Sequence, residues 1–322
     1  MTRTTQEELT HFLSDLYSVE LQALAQLETA PGMAGDPVVA EYYRKHRTET
    51  ERQAELVRGR LEAHGGSPSA VKDAVMKLGG KGFLLFAKLQ SETPGRLLVH
   101  SYSYEAMEWA GYALLARLAE RAGDAETLET ARRIQGEERE MMRRLEEGFD
   151  AAEASAHEEL GIGEMPDHIR SHLAEAHALV CQGIKIYERA GKNAHHELLA
   201  GLYDRALKAT KRQADALENR VKTLGSDVST IEDAAMKLGG LNWTAFFQSQ
   251  ADTPGKLLAF AYAVEHLQIG GLELLQRTAR RGCDETTERL CERVIAEKRS
   301  TAGELADHVV VSVEATLEVV AG

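Results

Sequence analysis

The chain has few residues that break helices or favour strands. Of its 322 residues only six are proline and 6% are aromatic, and the alternation of apolar and polar residues typical of half-buried strands is essentially absent. Alanine, leucine, glutamate and arginine, which favour helices, are abundant instead. The composition therefore predicts an all-α protein, and 43% hydrophobic with 28% charged residues is ordinary for a globular chain.

Cysteine is scarce, and long apolar runs are missing. The three cysteines, Cys181, Cys283 and Cys291, form no Cys-x-x-Cys motif, so a disulfide framework is not indicated and we expect a reduced, cytoplasmic protein. The N-terminus has no apolar signal-peptide core. No run of about eighteen apolar residues occurs, so we expect no membrane partner or span.

Positive charge is also in short supply. The formal net charge is −13 and the pI is about 5.5. Nucleic acid and anionic membranes attract positive fields, so neither is expected as a partner. An acidic surface suits the uptake of cations, although most acidic proteins are simply soluble.

The chain does have an internal repeat. Residues 73–80 read DAVMKLGG and residues 233–240 read DAAMKLGG, an offset of 160. At this offset 16 of the 33 positions from Asp73 to Glu105 are identical, and no gap is needed. Two copies of one fold follow. We predict one domain over 1–150, a linker over 151–165 and a second domain over 166–322.

Glycine and proline punctuate each copy into four long helices. In the first copy they are predicted over about 6–28, 37–64, 94–122 and 125–147, with a short helix at 70–78. In the second copy they are predicted over about 166–190, 194–223, 254–281 and 285–319, with a short helix at 229–238. The long connection between helices two and three, about residues 65–93, is typical of a ferritin-like bundle. We therefore predict two tandem ferritin-like four-helix bundles packed as a pseudo-dimer.

Glutamates interrupt the apolar stripe of every long helix in the first copy. The stripe positions of helices one to three, and the middle of helix four, carry Glu20, His46, Glu49, Glu105, Glu108, Glu137 and the neighbouring Glu138. A buried carboxylate is costly unless it is paired, protonated or bound to a cation. Two metal ions bridged by carboxylates resolve that conflict in bundles that bind iron or manganese.

Other interpretations of the same residues stay open. Arg52 stands where a Glu-x-x-His motif beginning at Glu49 needs its histidine, and an arginine there neutralises Glu49 in an ion pair instead. His46 is as readily a core histidine or a partner of a ligand. In the second copy, Trp243 and the pair Phe246 and Phe247 line a ligand pocket or simply fill the core.

Four stretches of the first copy resemble a known group, the YciE/YciF-like branch of the ferritin-like superfamily. They are LSDLYSVELQAL (13–24), HRTETERQ (46–53), YEAMEWAGY (104–112) and EEREMMRRL (137–145). The resemblance implies a four-helix bundle, usually paired into dimers, with a dinuclear iron or manganese carboxylate centre and a link to bacterial stress responses.

Position by position, the resemblance implies ligands at Glu20, Glu49, Glu105 and either Glu137 or Glu138. Glu108 and Gln53 also match family positions, as ligands or their partners. The chain departs from the family at two places. Ala106 stands where members can have a histidine, and Met141 or Met142 stands where they tend to have an aspartate.

The second copy lacks part of this set. At the offset of 160, Glu20 becomes Val180, Glu49 becomes Ala209 and Glu108 becomes Gln268, while Glu265 and Glu297 keep the carboxylates of Glu105 and Glu137. Apolar replacement is expected where a polar cluster has lost its ligand. We therefore expect a degenerate, metal-free bundle that takes the place of a second subunit.

Two functions remain in view. In the first, the N-terminal bundle holds a dinuclear iron or manganese centre that oxidises Fe(II), reduces peroxide or activates O₂. Its ligands are then Glu20, Glu49, Glu105 and Glu137, helped by His46 or Glu108. In the second, the chain is a scaffold or stress-associated interaction protein whose glutamates are tied to basic residues. A homodimer of the tandem chain is compatible with both.

Overall fold

The computed structural model describes residues 3–68, 93–157, 164–225 and 252–322. All regular secondary structure in these ranges is helical, which confirms the all-α prediction. The predicted short helices at 70–78 and 229–238 lie outside the described residues. So do Trp243, Phe246 and Phe247, the residues suggested for a pocket.

The N-terminal bundle has four long helices. They are α1 (Thr5–Leu27), α2 (Pro37–Ala63), α3 (Thr93–Ala122) and α4 (Ala125–His157), with a short 3₁₀ helix, Ala30–Met33, after α1. Thr4 and Glu7 form a capping box at the start of α1. Asp36 caps α2 by accepting hydrogen bonds from the backbone N–H groups of Val38 and Val39.

Helix α4 is longer than its pattern predicted, since it ends at His157 rather than near residue 147. Its last turns bury Phe149 and Ala152, so the helix still has a face against the core. Arg277 pairs with Asp150, and Arg281 pairs with Glu153. These contacts with the second bundle stabilise the last turns of the helix, which include the first residues of the expected linker.

The C-terminal bundle repeats the arrangement. Its helices are α5 (Met165–Lys192), α6 (Glu197–Thr223), α7 (Pro254–Arg281), α8 (Glu285–Asp307) and α9 (Val309–Ala321). The last helix was predicted as one segment over 285–319. It is divided at His308, whose Nδ1 lies 2.7 Å from the carbonyl oxygen of Glu304.

The two bundles pack through α3 and α7 about a pseudo-twofold axis. Ser103 Oγ donates a hydrogen bond to the carbonyl oxygen of Ala263 at 2.8 Å, and these residues occupy equivalent positions, so the axis passes beside them. Contacts recur in equivalent pairs on the two sides of the axis. These pairs are Gly95 against Leu274 with Gly255 against Leu114, and Arg96–Glu175 with Lys256–Asp15. Such reciprocity is the mark of a twofold interface, and the pseudo-dimer is therefore present within one chain.

Candidate metal centre

Four buried side chains meet in the core of the N-terminal bundle. One ligand atom from each of His46, Glu105, Glu108 and Glu138 lies within 4.8 Å of the others. His46 comes from α2, Glu138 from α4 and the other two from α3, where a spacing of three residues puts both on one face. No second group of this kind occurs in the ranges that the structure describes.

His46 is the one basic group of this cluster. Its Nε2 lies 2.9 Å from Glu105 Oε2 and 3.5 Å from Glu138 Oε2, and its Nδ1 lies 3.3 Å from Glu49 Oε2. Burial lowers the pKa of the imidazole. The neighbouring carboxylates raise the pKa by more than burial lowers it, so it lies well above its usual value. A single imidazolium therefore faces several carboxyl groups.

Glu108 is the least satisfied carboxyl group. Its side chain is 1% exposed, and neither oxygen has a hydrogen-bond partner in the described part of the chain. Burial raises its pKa well above the usual value, and the carboxylates of Glu138 and Glu20 raise it further. Because an orphaned buried carboxylate is costly, this position needs a proton or a cation.

Glu20 on α1 belongs to the same buried region. Tyr112 OH donates a short hydrogen bond to Glu20 Oε1, while Oε2 has no such partner among the described residues. The pKa of Glu20 is raised to about 8. Burial is the main cause, the Tyr112 hydrogen bond and His46 oppose it, and the charge of Glu105 adds to it. Each of the four helices thus contributes at least one ionisable group to this core.

Glu49 and Glu137 lie at the rim, where they are 16% and 21% exposed. Arg144 Nη1 is 3.1 Å from Glu49 Oε2, and Arg52 Nη2 is 2.6 Å from Glu137 Oε1. The sequence suggested that Arg52 neutralises Glu49, and the structure differs. Arg52 crosses from α2 to a carboxylate on α4, and an arginine on α4 reaches back to Glu49.

Gln53 links the rim to the core. Its Nε2 donates to Glu137 Oε2 at 3.0 Å and to Glu138 Oε1 at 2.7 Å. It is therefore a partner of the candidate ligands. Ala106 and Met141, where the chain departs from the resemblance, are fully buried apolar residues.

The C-terminal bundle lacks an equivalent cluster in its described residues. The positions of Glu20, His46 and Glu108 hold Val180, Ala206 and Gln268. The position of Glu138 holds Lys298, whose Nζ lies 3.0 Å from Glu265 Oε1. This lysine was not among the residues predicted to matter, although the offset of 160 pairs it with a glutamate and the reversal of charge is visible in the sequence.

No helix in the described ranges combines the length and the apolar character needed to cross a membrane. Comparisons with curated proteins and with solved structures gave no match. A protein-family model described as "Domain of unknown function (DUF892)" matches residues 4–158 and again residues 165–318. This double match supports the tandem duplication inferred from the repeat. The chain therefore belongs to DUF892, a family of ferritin-like type, and carries its domain twice.

Proposed function

We propose that the N-terminal bundle is a dinuclear iron or manganese protein of oxidoreductase type. The observation that carries this proposal is the buried Glu108 carboxyl group, which has no hydrogen-bond partner among the described residues and lies beside Glu105, Glu138 and His46. Natural proteins rarely leave such a group unsatisfied. A bound cation gives both of its oxygens a partner.

The charges of the cluster favour a cation. Glu20, Glu105, Glu108 and Glu138 are each at most 4% exposed, and His46 is the one basic side chain among them. Like charges repel strongly where water is excluded. Without metal, protons must neutralise several of these groups, which agrees with the raised pKa values of Glu20, Glu108 and Glu138.

The types of ligand favour iron or manganese. The cluster offers carboxylate oxygens and one imidazole nitrogen but no thiolate, a set that suits Mn²⁺ and Fe²⁺. The five buried groups come from four helices, as in the carboxylate bundles that hold two ions. Glu49 and Glu137 remain predicted ligands at the rim, each of which must leave its arginine to bind.

The chain's own residues prepare the site for loading. Tyr112 holds Glu20, and Gln53 holds Glu138. Ligands must lose their protons to bind metal, so loading releases protons from the imidazole and the carboxyl groups. A redox-active metal pair supplies electron transfer to O₂ or peroxide, while the apolar core around it excludes water.

Metal content tests the proposal directly. Protein produced with iron or manganese supplements should hold about two ions per chain, and the Glu105→Ala, Glu108→Ala double variant should hold none. The matched control is Glu297→Gln, which changes the equivalent of Glu137 in the bundle without the cluster. Absence of both metals from the wild type after anaerobic Fe(II) loading would contradict the proposal. Once metal is found, Fe(II) oxidation and peroxide consumption measure the activity.

The ion pairs at the rim of the cluster favour a second function, that of a metal-free scaffold. Arg144 pairs with Glu49, Arg52 with Glu137, and Tyr112 holds Glu20, as a scaffold requires. Glu108 does not follow that pattern. If the scaffold function holds, the isosteric Glu108→Gln variant stabilises the fold and leaves the metal content at zero.

A further inference from the structure

The core of the C-terminal bundle holds an ammonium group where the N-terminal bundle holds a carboxylate. Lys298 on α8 is equivalent to Glu138 on α4. Its Nζ lies 3.0 Å from Glu265 Oε1 and 3.3 Å from Thr210 Oγ1. Lys298 is 1% exposed and Glu265 is fully buried. A lysine is almost never buried to this extent unless it is paired.

The remaining positions of this core have lost their charge. Val180 and Ala206 replace Glu20 and His46, and Gln268 replaces Glu108 and donates to the carbonyl oxygen of Leu179 at 3.1 Å. Glu265 is the retained carboxylate, and Tyr187 OH donates to its Oε1 at 2.7 Å. The positive charge of the Lys298 ammonium group therefore balances the negative charge of the Glu265 carboxylate in this core.

We propose that Lys298 is a built-in substitute for the metal ion, which lets the C-terminal bundle assemble without metal. The comparison with a metal ion rests on the function proposed above for the N-terminal cluster. The pairing of Lys298 with Glu265 rests only on the contacts within the C-terminal bundle. In the C-terminal bundle, the ammonium group of Lys298 balances the negative charge of Glu265. In the N-terminal bundle, a bound metal ion balances the charge of the equivalent Glu105.

This arrangement has a consequence for the N-terminal site. Helix α7 carries Glu265 and packs on α3, which carries Glu105 and Glu108. Trp109 of α3, next to Glu108 in the sequence, stacks on Tyr262 of α7 with ring centroids 4.8 Å apart. Because Lys298 balances the charge of Glu265 without metal, the C-terminal bundle holds α3 in place before metal binds. The N-terminal site then gains and loses metal without unfolding of the chain.

A double-mutant cycle in the full chain tests the pairing. In metal-free protein, Lys298→Met and Glu265→Gln should each lower the Tm by about 10 °C, because each leaves the other charge buried and alone. The double variant should lose less than the sum of the two single losses. A Lys298→Met variant with an unchanged Tm, or strictly additive losses, would overturn the proposal. If Lys298→Met does not fold, Lys298→Arg is used instead, because it keeps the positive charge and should fold. Failure of Lys298→Arg to fold would contradict a role of the charge.

A second experiment places a lysine at the equivalent position of the N-terminal bundle, Glu138. Glu138→Lys should raise the Tm of the metal-free protein above that of the Glu138→Gln control and abolish the Tm shift caused by Mn²⁺. If metal-free Glu138→Lys has a lower Tm than metal-free Glu138→Gln, the proposal that an ammonium group replaces the metal ion is overturned. If Mn²⁺ does not shift the wild-type Tm at all, the function proposed above fails. The cycle at Lys298 and Glu265 still decides whether the C-terminal core depends on its ion pair.

Discussion

Cys283 adopts a left-handed backbone conformation, with φ of 57°, at the position where the N-terminal bundle has Gly123, with φ of 71°. Both residues lie between helix three and helix four of their bundles, where a helix commonly ends on a residue with positive φ. Glycine adopts this conformation without steric cost, and a residue with a Cβ does not. The two bundles therefore share a turn, but one of them makes it with strain.

We expect Cys283→Gly to stabilise the protein by about 1 kcal/mol, because it removes that strain. The matched variant is Gly123→Ala, which should destabilise by a similar amount. A Cβ at Gly123 meets no atom within 4 Å, so only the backbone conformation opposes it. Urea unfolding measures both changes. Equal free energies of unfolding for Cys283→Gly and wild type would show that the strain is relieved elsewhere.

His266 makes the stability of the protein depend on pH. Its pKa is lowered to about 4. Burial is the main cause, the contact of Nδ1 with the Tyr262 carbonyl oxygen at 2.9 Å opposes it, and nearby Arg299 adds to the lowering. The unfolded chain takes up this proton near pH 6.5. The neutral imidazole therefore stabilises the fold fully above pH 6.5, and this contribution is lost as the pH falls towards 4, by at most about 3 kcal/mol.

The control for this dependence is His266→Ala, since alanine occupies the equivalent position, Ala106. Urea unfolding at pH 7.5, 6 and 5 should show a steeper loss of stability in the wild type than in the variant. The comparison concerns the slope with pH, because the cavity left by the variant lowers stability at every pH. Parallel slopes would mean that another group carries the dependence.

Tyr112 positions the candidate ligand Glu20 through the hydrogen bond from its hydroxyl group. This bond favours the ionised carboxylate, and burial opposes it. Tyr112→Phe should therefore weaken Mn²⁺ binding by about 10- to 100-fold, as loss of a partner of a metal ligand commonly does. The matched control is Tyr203→Phe, because Tyr203 is equally buried and its hydroxyl has no hydrogen-bond partner in the described residues.

Calorimetric titration with Mn²⁺ measures both affinities. The proposed position of Glu20 next to the metal is contradicted if Tyr112→Phe binds Mn²⁺ as tightly as Tyr203→Phe does.

Gly270 lets the two bundles approach closely. A Cβ at this position meets the Cα and Cγ1 atoms of Val99 at 3.3 Å and Phe149 Cζ at 3.4 Å. Gly270→Leu should therefore destabilise the chain by about 2–3 kcal/mol through overpacking of the interface. Gly303 is the control, since it lies within α8 with no atom near the Cβ position. Gly303→Ala should stabilise by about 0.5–1 kcal/mol through helix propensity, and thermal unfolding distinguishes the two.

Much of the fold was predictable because helices have a regular period. The apolar stripe with its three- and four-residue spacing put Glu20, Glu105 and Glu108 on core-facing positions, and all three are buried. The period does not separate Glu137 from Glu138, which are neighbours on one helix and differ by about 100° in direction. The packing of α4 turns Glu138 inwards, to 1% exposure, and leaves Glu137 at 21%.

The arginine partners were harder to predict. Arg52 and Arg144 have side chains long enough to cross from one helix to the next, so their sequence neighbours do not indicate their partners. Arg52 therefore reaches Glu137 across the bundle rather than Glu49 on its own helix. The length of α4 was underestimated for a related reason, since its last turns are stabilised by contacts with the other bundle.

The sequence by itself determined the duplication, the helical class and the presence of acidic residues on apolar faces, because repeats and helix periodicity are local properties of the chain. Only the tertiary structure decided which acidic residues meet. Glu138 joins His46, Glu105 and Glu108 because three helices bring them together, and Lys298 meets Glu265 because α7 and α8 do. Opposite the retained glutamate, the N-terminal core has the carboxyl group of Glu138 and the C-terminal core has the ammonium group of Lys298.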